Sequence, residues 1–476
     1  MSQRAISLDA LRGIAVLGMV LSGSIAFNGV LPAWMYHAQV PPPLHKFDPL
    51  IAGITWVDLV FPFFLFAMGA AIPLALKAKL AAGAGYKFFV PLAIKRFLLL
   101  AFFALFTQHM KAWVLAETPG VNEYLLSILA FILLFFQFYR ASFKSKNLSQ
   151  TFFVIKLLAF AIAVLLLALL PFKDGAGFNF FKSDIILLVL ANIVLAGILI
   201  YGFTYKRPVL RLALLPIILA IFLAGKEPAD SWTKTILNFS HIGSFDISWL
   251  YKFYFLKYLI IVIPAMYAGE WLLKIGVLST IEEPKKKTNK TSLLIAALVI
   301  VIVLINLFGL YNRLLFVNFI TTSVCCFLLL KLNRQLPLQF SDFYKLFLQA
   351  GTYLLLLGLF FEAYEGGIKK DSSTYSYYFV CSGLAFLLIV GFQCFLQNAI
   401  SEPVINWLAA IGQNPMVAYV AGSLLVTPIL HLSGLQVWMD QLNSNAFTGF
   451  LKGVIFTGLV SLITILFNRR KWYWRT

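Results

Sequence analysis

Apolar runs of about 18 to 22 residues recur along this chain, each long enough to cross a hydrocarbon layer about 30 Å thick at 1.5 Å of rise per residue. Fourteen are marked out, at roughly 11–30, 53–76, 97–115, 124–140, 151–171, 184–204, 208–225, 253–273, 291–310, 314–331, 346–363, 376–397, 412–432 and 449–468. Two of them, 208–225 and 314–331, also suit partial or re-entrant crossings. A transmembrane β-barrel would show alternating segments about 10 residues long instead, and none is visible. Charged residues are 12% of the chain, against about 25% in a soluble domain, and hydrophobic ones are 61%. Too few polar groups remain to cover a water-facing surface. The sequence predicts an all-α, polytopic integral membrane helical bundle with roughly 12–14 transmembrane segments, one domain over residues 1–476.

Charge sets the expected orientation. The net charge of +19 would suit a nucleic-acid partner if it gathered on one surface, but the basic residues sit in short loops between apolar runs. That is the positive-inside pattern, and the partner it implies is a lipid bilayer, with no nucleic acid. Placing alternate loops inside gives 25 of the 38 Lys and Arg to the cytoplasmic side and ten to the outside. The other three (Lys111, Lys156, Lys257) lie within or at the ends of spans. Lys285-Lys286-Lys287 with Lys290, and Arg469-Arg470-Lys471 with Arg475, are the largest inside clusters, and Arg4 and Arg12 hold the first end there. Both termini are therefore expected in the cytoplasm. The first run follows Arg12 with no small-residue cleavage site, so it should remain as helix one, capped by Ser7 with Asp9 in its first turn. Trp472, Tyr473 and Trp474 read as an interfacial anchor. Cys325, Cys326, Cys381 and Cys394 fall inside apolar runs without metal spacing and read as small fillers.

Chemistry concentrates near residues 31–54, the loop expected outside between the first two helices. It holds His37, His45 and Asp48, with Asp58 just beyond and the prolines Pro41, Pro42 and Pro43 between. A histidine titrates near neutral pH and can take a proton from an attacking amine or hydroxyl, and a nearby acid can orient it or act as base itself. His45 and Asp48 stand three apart, so one turn would put them on one side. Either could be the base, and three polar residues in a solvated loop can also be no more than that. Asp58 completes a T-x-x-D helix-start box with Thr55, which competes with a functional role. Pro62, Gly69 and Pro73 would suit a helix broken near a midplane site. His109 and Lys111 read as an interfacial pair. Phosphate-loop, zinc-finger and nucleophile-elbow patterns are missing, and no metal is expected.

SLDALRGIAVLGMV (7–20) and GITWVDLVFPFFLFAMG (53–69) resemble blocks of the membrane acetyltransferases related to heparan-α-glucosaminide N-acetyltransferase. IKKDSSTYSYYFVCSGLA (368–385) and IGQNPMVAYV (411–420) are similar to two later segments of that family. The resemblance implies acyl transfer, acetyl foremost, from cytoplasmic acetyl-CoA to an extracytoplasmic sugar amine or hydroxyl, in a bacterial inner membrane. The family histidine lies ten residues before the acid of the Asp-Leu-x-Phe-Pro block, where this chain has Asp48, and Gly23 stands where an asparagine is expected. His45, His37 or Asp48 is then left to supply the base. By the same resemblance, Arg12 and Asn414 are assigned to CoA. Lys369 and Lys370 are expected at the outer mouth, holding the acceptor or Asp48, and Ser372, Ser373 and Thr374 are expected to cap the next helix. The competing readings are a sugar or lipid transporter or flippase, and a catalytically silent membrane scaffold. Homo-oligomerisation stays open among the partners.

Overall fold

Long apolar runs become long helices here, and polar caps or prolines mark many of their starts. The computed structural model describes residues 5–140, 145–173, 175, 177–225, 232–278 and 290–476; Arg4 and the Lys285-Lys286-Lys287 cluster lie outside the described residues. In chain order the helices are α1 (Ile6–Ser22), α2 (Trp56–Ala81), α3 (Tyr86–His109), α4 (Ala112–Leu115), α5 (Val121–Phe138), α6 (Lys146–Leu169), α7 (Ile185–Thr204) and α8 (Pro208–Ala224). There follow α9 (Trp232–Leu237), α10 (Leu259–Leu278), α11 (Lys290–Tyr311), α12 (Leu315–Asn333), α13 (Leu338–Glu365) and α14 (Tyr375–Leu396). The last are α15 (Glu402–Gly412), α16 (Pro415–Ala421), α17 (Thr427–Leu432), α18 (Gln436–Gln441) and α19 (Ala446–Arg469). A short hairpin, β1 (His241–Ile242) with β2 (Phe245–Asp246), supplies the two strands among the described residues.

Twelve spans among the described residues are long and apolar enough to cross a membrane, so the chain is a polytopic all-α membrane protein. Of the fourteen expected runs, the two outside that set are α1 and α8, each 17 residues long. The most enclosed spans are α14, α2 and the one containing α10, while α6, α12 and α19 show most of their surface to the lipid. Helix one ends at Ser22, eight residues short of the expected Val30, because Ser22, Gly23 and Ser24 turn the chain out of the helix. Its N-cap is Ala5; Ser7 lies inside the first turn and accepts a hydrogen bond from Gln393.

The broken helix that would suit a transporter does not occur, and α2 runs 26 residues through Pro62 and Pro73. Pro62 has no N–H to give the carbonyl of Asp58 four residues earlier. The buried Tyr377 hydroxyl on α14 donates to that carbonyl instead, at 2.6 Å. A borrowed donor of this kind lets a membrane helix tolerate proline. The irregular span is the one from Pro415 to Leu432, where Gly422–Val426 forms a π turn between α16 and α17.

Helix α1 lies against the short α15 through two glycines. A Cβ on Gly13 would come within 1.9 Å of the Leu408 carbonyl oxygen, and one on Gly412 within 1.8 Å of that of Asp9. Only glycine permits this backbone approach. The C-terminal tail also turns inward. Trp474 is buried against Phe131 and Phe467, and its backbone N–H bonds the Asn414 side chain, so the expected interfacial anchor is part of the interior at this residue.

Candidate functional site: two loops closed around His37

The loop from Gly23 to Thr55 meets the turn between α13 and α14 at one end of the bundle. The Gly53 N–H donates to the Ile368 carbonyl at 2.8 Å, and the Lys369 ammonium reaches the Pro49 carbonyl at 2.9 Å. Gln39, fully buried, grips the backbone of Asp371 at both ends. Its Oε1 accepts from the Asp371 N–H at 2.8 Å and its amide nitrogen donates to the Asp371 carbonyl. Behind this turn, Lys257 donates to the Ser373 carbonyl, and the Ser373 hydroxyl meets those of Tyr254 at 2.6 Å and Tyr378 at 2.5 Å. The expected cap on α14 comes from elsewhere. The Glu365 carboxylate, not Ser372, Ser373 or Thr374, accepts from the N–H groups of Tyr375 and Ser376, each at 2.9 Å.

Closing these loops puts His37 between two acids. Its Nδ1 stands 3.0 Å from Oδ1 of Asp58 and its Nε2 3.0 Å from Oδ2 of Asp371. Asp58 is fully buried, whereas the Asp371 side chain is 50% exposed, so one partner is fixed and the other can move. Asp58 divides its work between two oxygens. Oδ2 accepts from the N–H groups of Thr55 at 2.9 Å and Ala38 at 3.2 Å, forming the helix-start box. Oδ1 is turned to cations, facing His37 and, at 3.9 Å, the Lys370 ammonium. One carboxylate thus both forms the helix-start box and faces His37. The Gln39 N–H also lies 3.2 Å from Nδ1. A neutral imidazole has one ring proton to offer, and only the protonated ring can satisfy both acids. Burial draws the His37 pKa down, but the bonds to Asp371 and Asp58 outweigh it, and the net shift is upward.

The other candidates fall elsewhere. His45 does not pair with Asp48. Its ring sits edge-on against Tyr36 (4.5 Å between centroids) and Phe27 (5.3 Å), with both ring nitrogens buried and without a hydrogen bond among the described residues. Asp48 accepts from the Leu50 N–H at 2.8 Å and gives its own N–H to the Gln39 carbonyl, which shapes the loop that carries His37. Both expected CoA residues have partners within the protein. Arg12 contacts Asp9 at 3.2 Å and donates to the carbonyls of Gly412 and Ala67, and the fully buried Asn414 holds the tail through Trp472 and Trp474. Lys369 and Lys370 do reach back, to Pro49 and Asp58, not to Asp48. His109 is no interfacial partner of Lys111: it is buried, bonded to the Leu105 carbonyl at 2.8 Å and packed on Phe172 and Phe178. Gln39 and Asp371 were not singled out by sequence. An acid adjoining a lysine pair was the one visible sign of the second.

Two adjoining cavities open beside this cluster. The smaller, about 160 Å³, is walled by His37, Tyr36 and Phe27, and the larger, about 340 Å³, by Lys111, Asp184, Lys370 and Tyr419 among others. Ser22, Gly23 and Val57 line both, so the two cavities share a wall. Gly23, which has no side chain, borders both cavities.

No curated protein matches the chain. A family model described as a domain of unknown function, DUF5009, matches residues 4–272, which include His37 and Asp58 but stop short of Lys370 and Asp371. That match takes in more than half of the 476 residues, and the chain belongs to the DUF5009 family.

Proposed function

We propose that the protein transfers an acyl group, acetyl foremost, from cytoplasmic acyl-CoA to an amine or hydroxyl of an extracytoplasmic sugar across a bacterial inner membrane. The observation that carries this reading is His37, oriented by a buried carboxylate at the edge of a cavity. His37 accepts the acceptor's proton as its nitrogen or oxygen attacks the thioester carbonyl. The new C–N or C–O bond forms, the C–S bond breaks, and CoA leaves as a thiolate that then takes up a proton. Asp58 holds the ring and stabilises the imidazolium. The half-exposed Asp371 carboxylate is the group that leaves Nε2 when the acceptor enters. The resembling blocks at 7–20 and 53–69 and the positive-inside charge pattern support the same assignment, with both termini cytoplasmic. Exposed Lys79, Lys87 and Lys95, in and beside the α2–α3 turn, offer cations for CoA phosphates at the opposite end of α2 from Asp58.

Purified protein in nanodiscs, supplied with labelled acetyl-CoA and a panel of amino sugars, should release CoA only when an acceptor is present. His37→Ala should lower turnover by about 10²-fold or more, the usual contribution of a general base. Wild-type turnover in that variant would remove His37 from the chemistry. Bound CoA without turnover would favour a silent scaffold, and sugar flux in liposomes lacking CoA a transporter.

A further inference from the structure

The larger cavity carries two ammonium groups whose nearby acids are already occupied. Asp184 gives Oδ1 to the N–H groups of Ile186 and Leu187 at 3.1 and 3.2 Å and Oδ2 to the Tyr419 hydroxyl at 2.8 Å. Lys111 stands 3.9 Å from that same Oδ2 and, among the described residues, hydrogen-bonds the neutral Gln108 amide oxygen, at 2.7 Å. Lys370 is likewise 3.9 Å from Asp58, whose Oδ1 is faced more closely by His37, and its ammonium makes no hydrogen bond among the described residues. Ammonium hydrogens left over in a mostly apolar chamber call for an anionic acceptor. Burial also draws the Lys111 pKa down against the pull of Asp184, a shift that a bound anion would oppose.

The hydroxyls on the same walls point the other way. Ser22, Thr107 and Ser423 donate to the carbonyls of Met19, Phe103 and Val420 in their own helices. Their hydrogens are used, and what they can still show the cavity is oxygen lone pairs. A ligand matching both sets needs an oxyanion and, beside it, hydroxyl or amine hydrogens.

We infer that this cavity seats an acidic sugar, its carboxylate or phosphate between Lys111 and Lys370 and its hydroxyl or amine hydrogens on the serine and threonine oxygens. The site rests on the acyl-transfer reading for one point only, that the reacting amine or hydroxyl reaches the neighbouring cavity at His37. The phosphate could be that of a free sugar phosphate or of a lipid-linked headgroup, since both present the same oxyanion.

The test measures binding with no acyl donor present. In phosphatidylcholine nanodiscs, glucosamine 6-phosphate should bind at least about tenfold more tightly than glucosamine, the scale of one charge-assisted hydrogen bond. Lys111→Gln with Lys370→Gln should erase that preference, and the matching arginine pair should keep most of it, which separates lost charge from lost fold. Adding phosphatidylglycerol to the discs distinguishes the sources: competition that depends on the two lysines identifies a lipid phosphate as occupant. Equal affinity for the two sugars, together with no lysine-dependent competition by the lipid, overturns the inference. Turnover without a lysine-dependent preference would defeat this site and leave acyl transfer standing. A lysine-dependent preference without turnover would do the reverse.

Discussion

At His37 two carboxylates draw on one ring, and the count of ring protons decides how tightly the loops close. The raised pKa means that the folded state holds the proton more strongly than the unfolded chain, whose ordinary value is about 6.5. The stabilisation is fully present below that ordinary value and is lost as pH rises through the raised folded-state value. Amide exchange at Ala38 and Gln39 should therefore quicken as pH climbs through that window, while turnover, which needs the neutral ring, should rise. Asp371→Asn removes one of the groups that raise the pKa, so the pH–rate profile should move to lower pH; an unmoved profile would mean that Asp371 does not reach the ring in solution. Nothing in the sequence raises His37 above His45, because its second acid is 334 residues away. Spacing along the chain favoured His45 and Asp48. Closing the loops favours His37.

The helices themselves are legible from hydrophobic length alone, because a run that must satisfy its own backbone in lipid has few alternatives to a helix. Their interruptions are less so. Pro62 reads as a break until the Tyr377 hydroxyl, on a helix 319 residues away, is seen supplying the missing donor. Tyr377→Phe should leave the Asp58 carbonyl unsatisfied and cost about 1–3 kcal/mol of stability, measured by denaturant unfolding in detergent. Pro62→Ala restores a backbone N–H four residues after that carbonyl, so adding it to Tyr377→Phe should recover part of the loss. Simple addition of the two costs would show that the hydroxyl is not compensating for the proline. The short α15 and the π turn after α16 were not marked separately, since neither alters the apolar pattern that reveals a span.

For the molecule as a whole, the polytopic all-α bundle follows from the sequence, though fourteen runs are marked where twelve described spans are long and apolar enough to cross. The closure of the ends depends instead on polar side chains meeting across the bundle. Asn414 is the clearest instance: assigned to CoA by resemblance, it ties the tail to the bundle through Trp472 and Trp474. Asn414→Ala should lower the melting temperature and expose the tail to protease while acyl-CoA affinity stays unchanged; weaker CoA binding with an intact tail would restore the earlier assignment. Orientation is checked separately. A reporter fused after Thr476 should be active only in the cytoplasm, and periplasmic activity would invert the layout drawn from the basic loops.

The grip of Gln39 on Asp371 joins positions 332 residues apart, and its consequence lies in synthesis. At about 5–20 residues per second, roughly 15 to 70 s separate the two residues at the ribosome. Through that interval the chain already carries the local partners of Asp58, the N–H groups of Thr55 and Ala38 and the ring of His37, all encoded in the first two helices and their loop. Lys370 and Asp371 come last. The nascent chain can offer the imidazole one acid and the finished protein offers it two, so the protonation of His37 should report whether the late half of the chain has arrived.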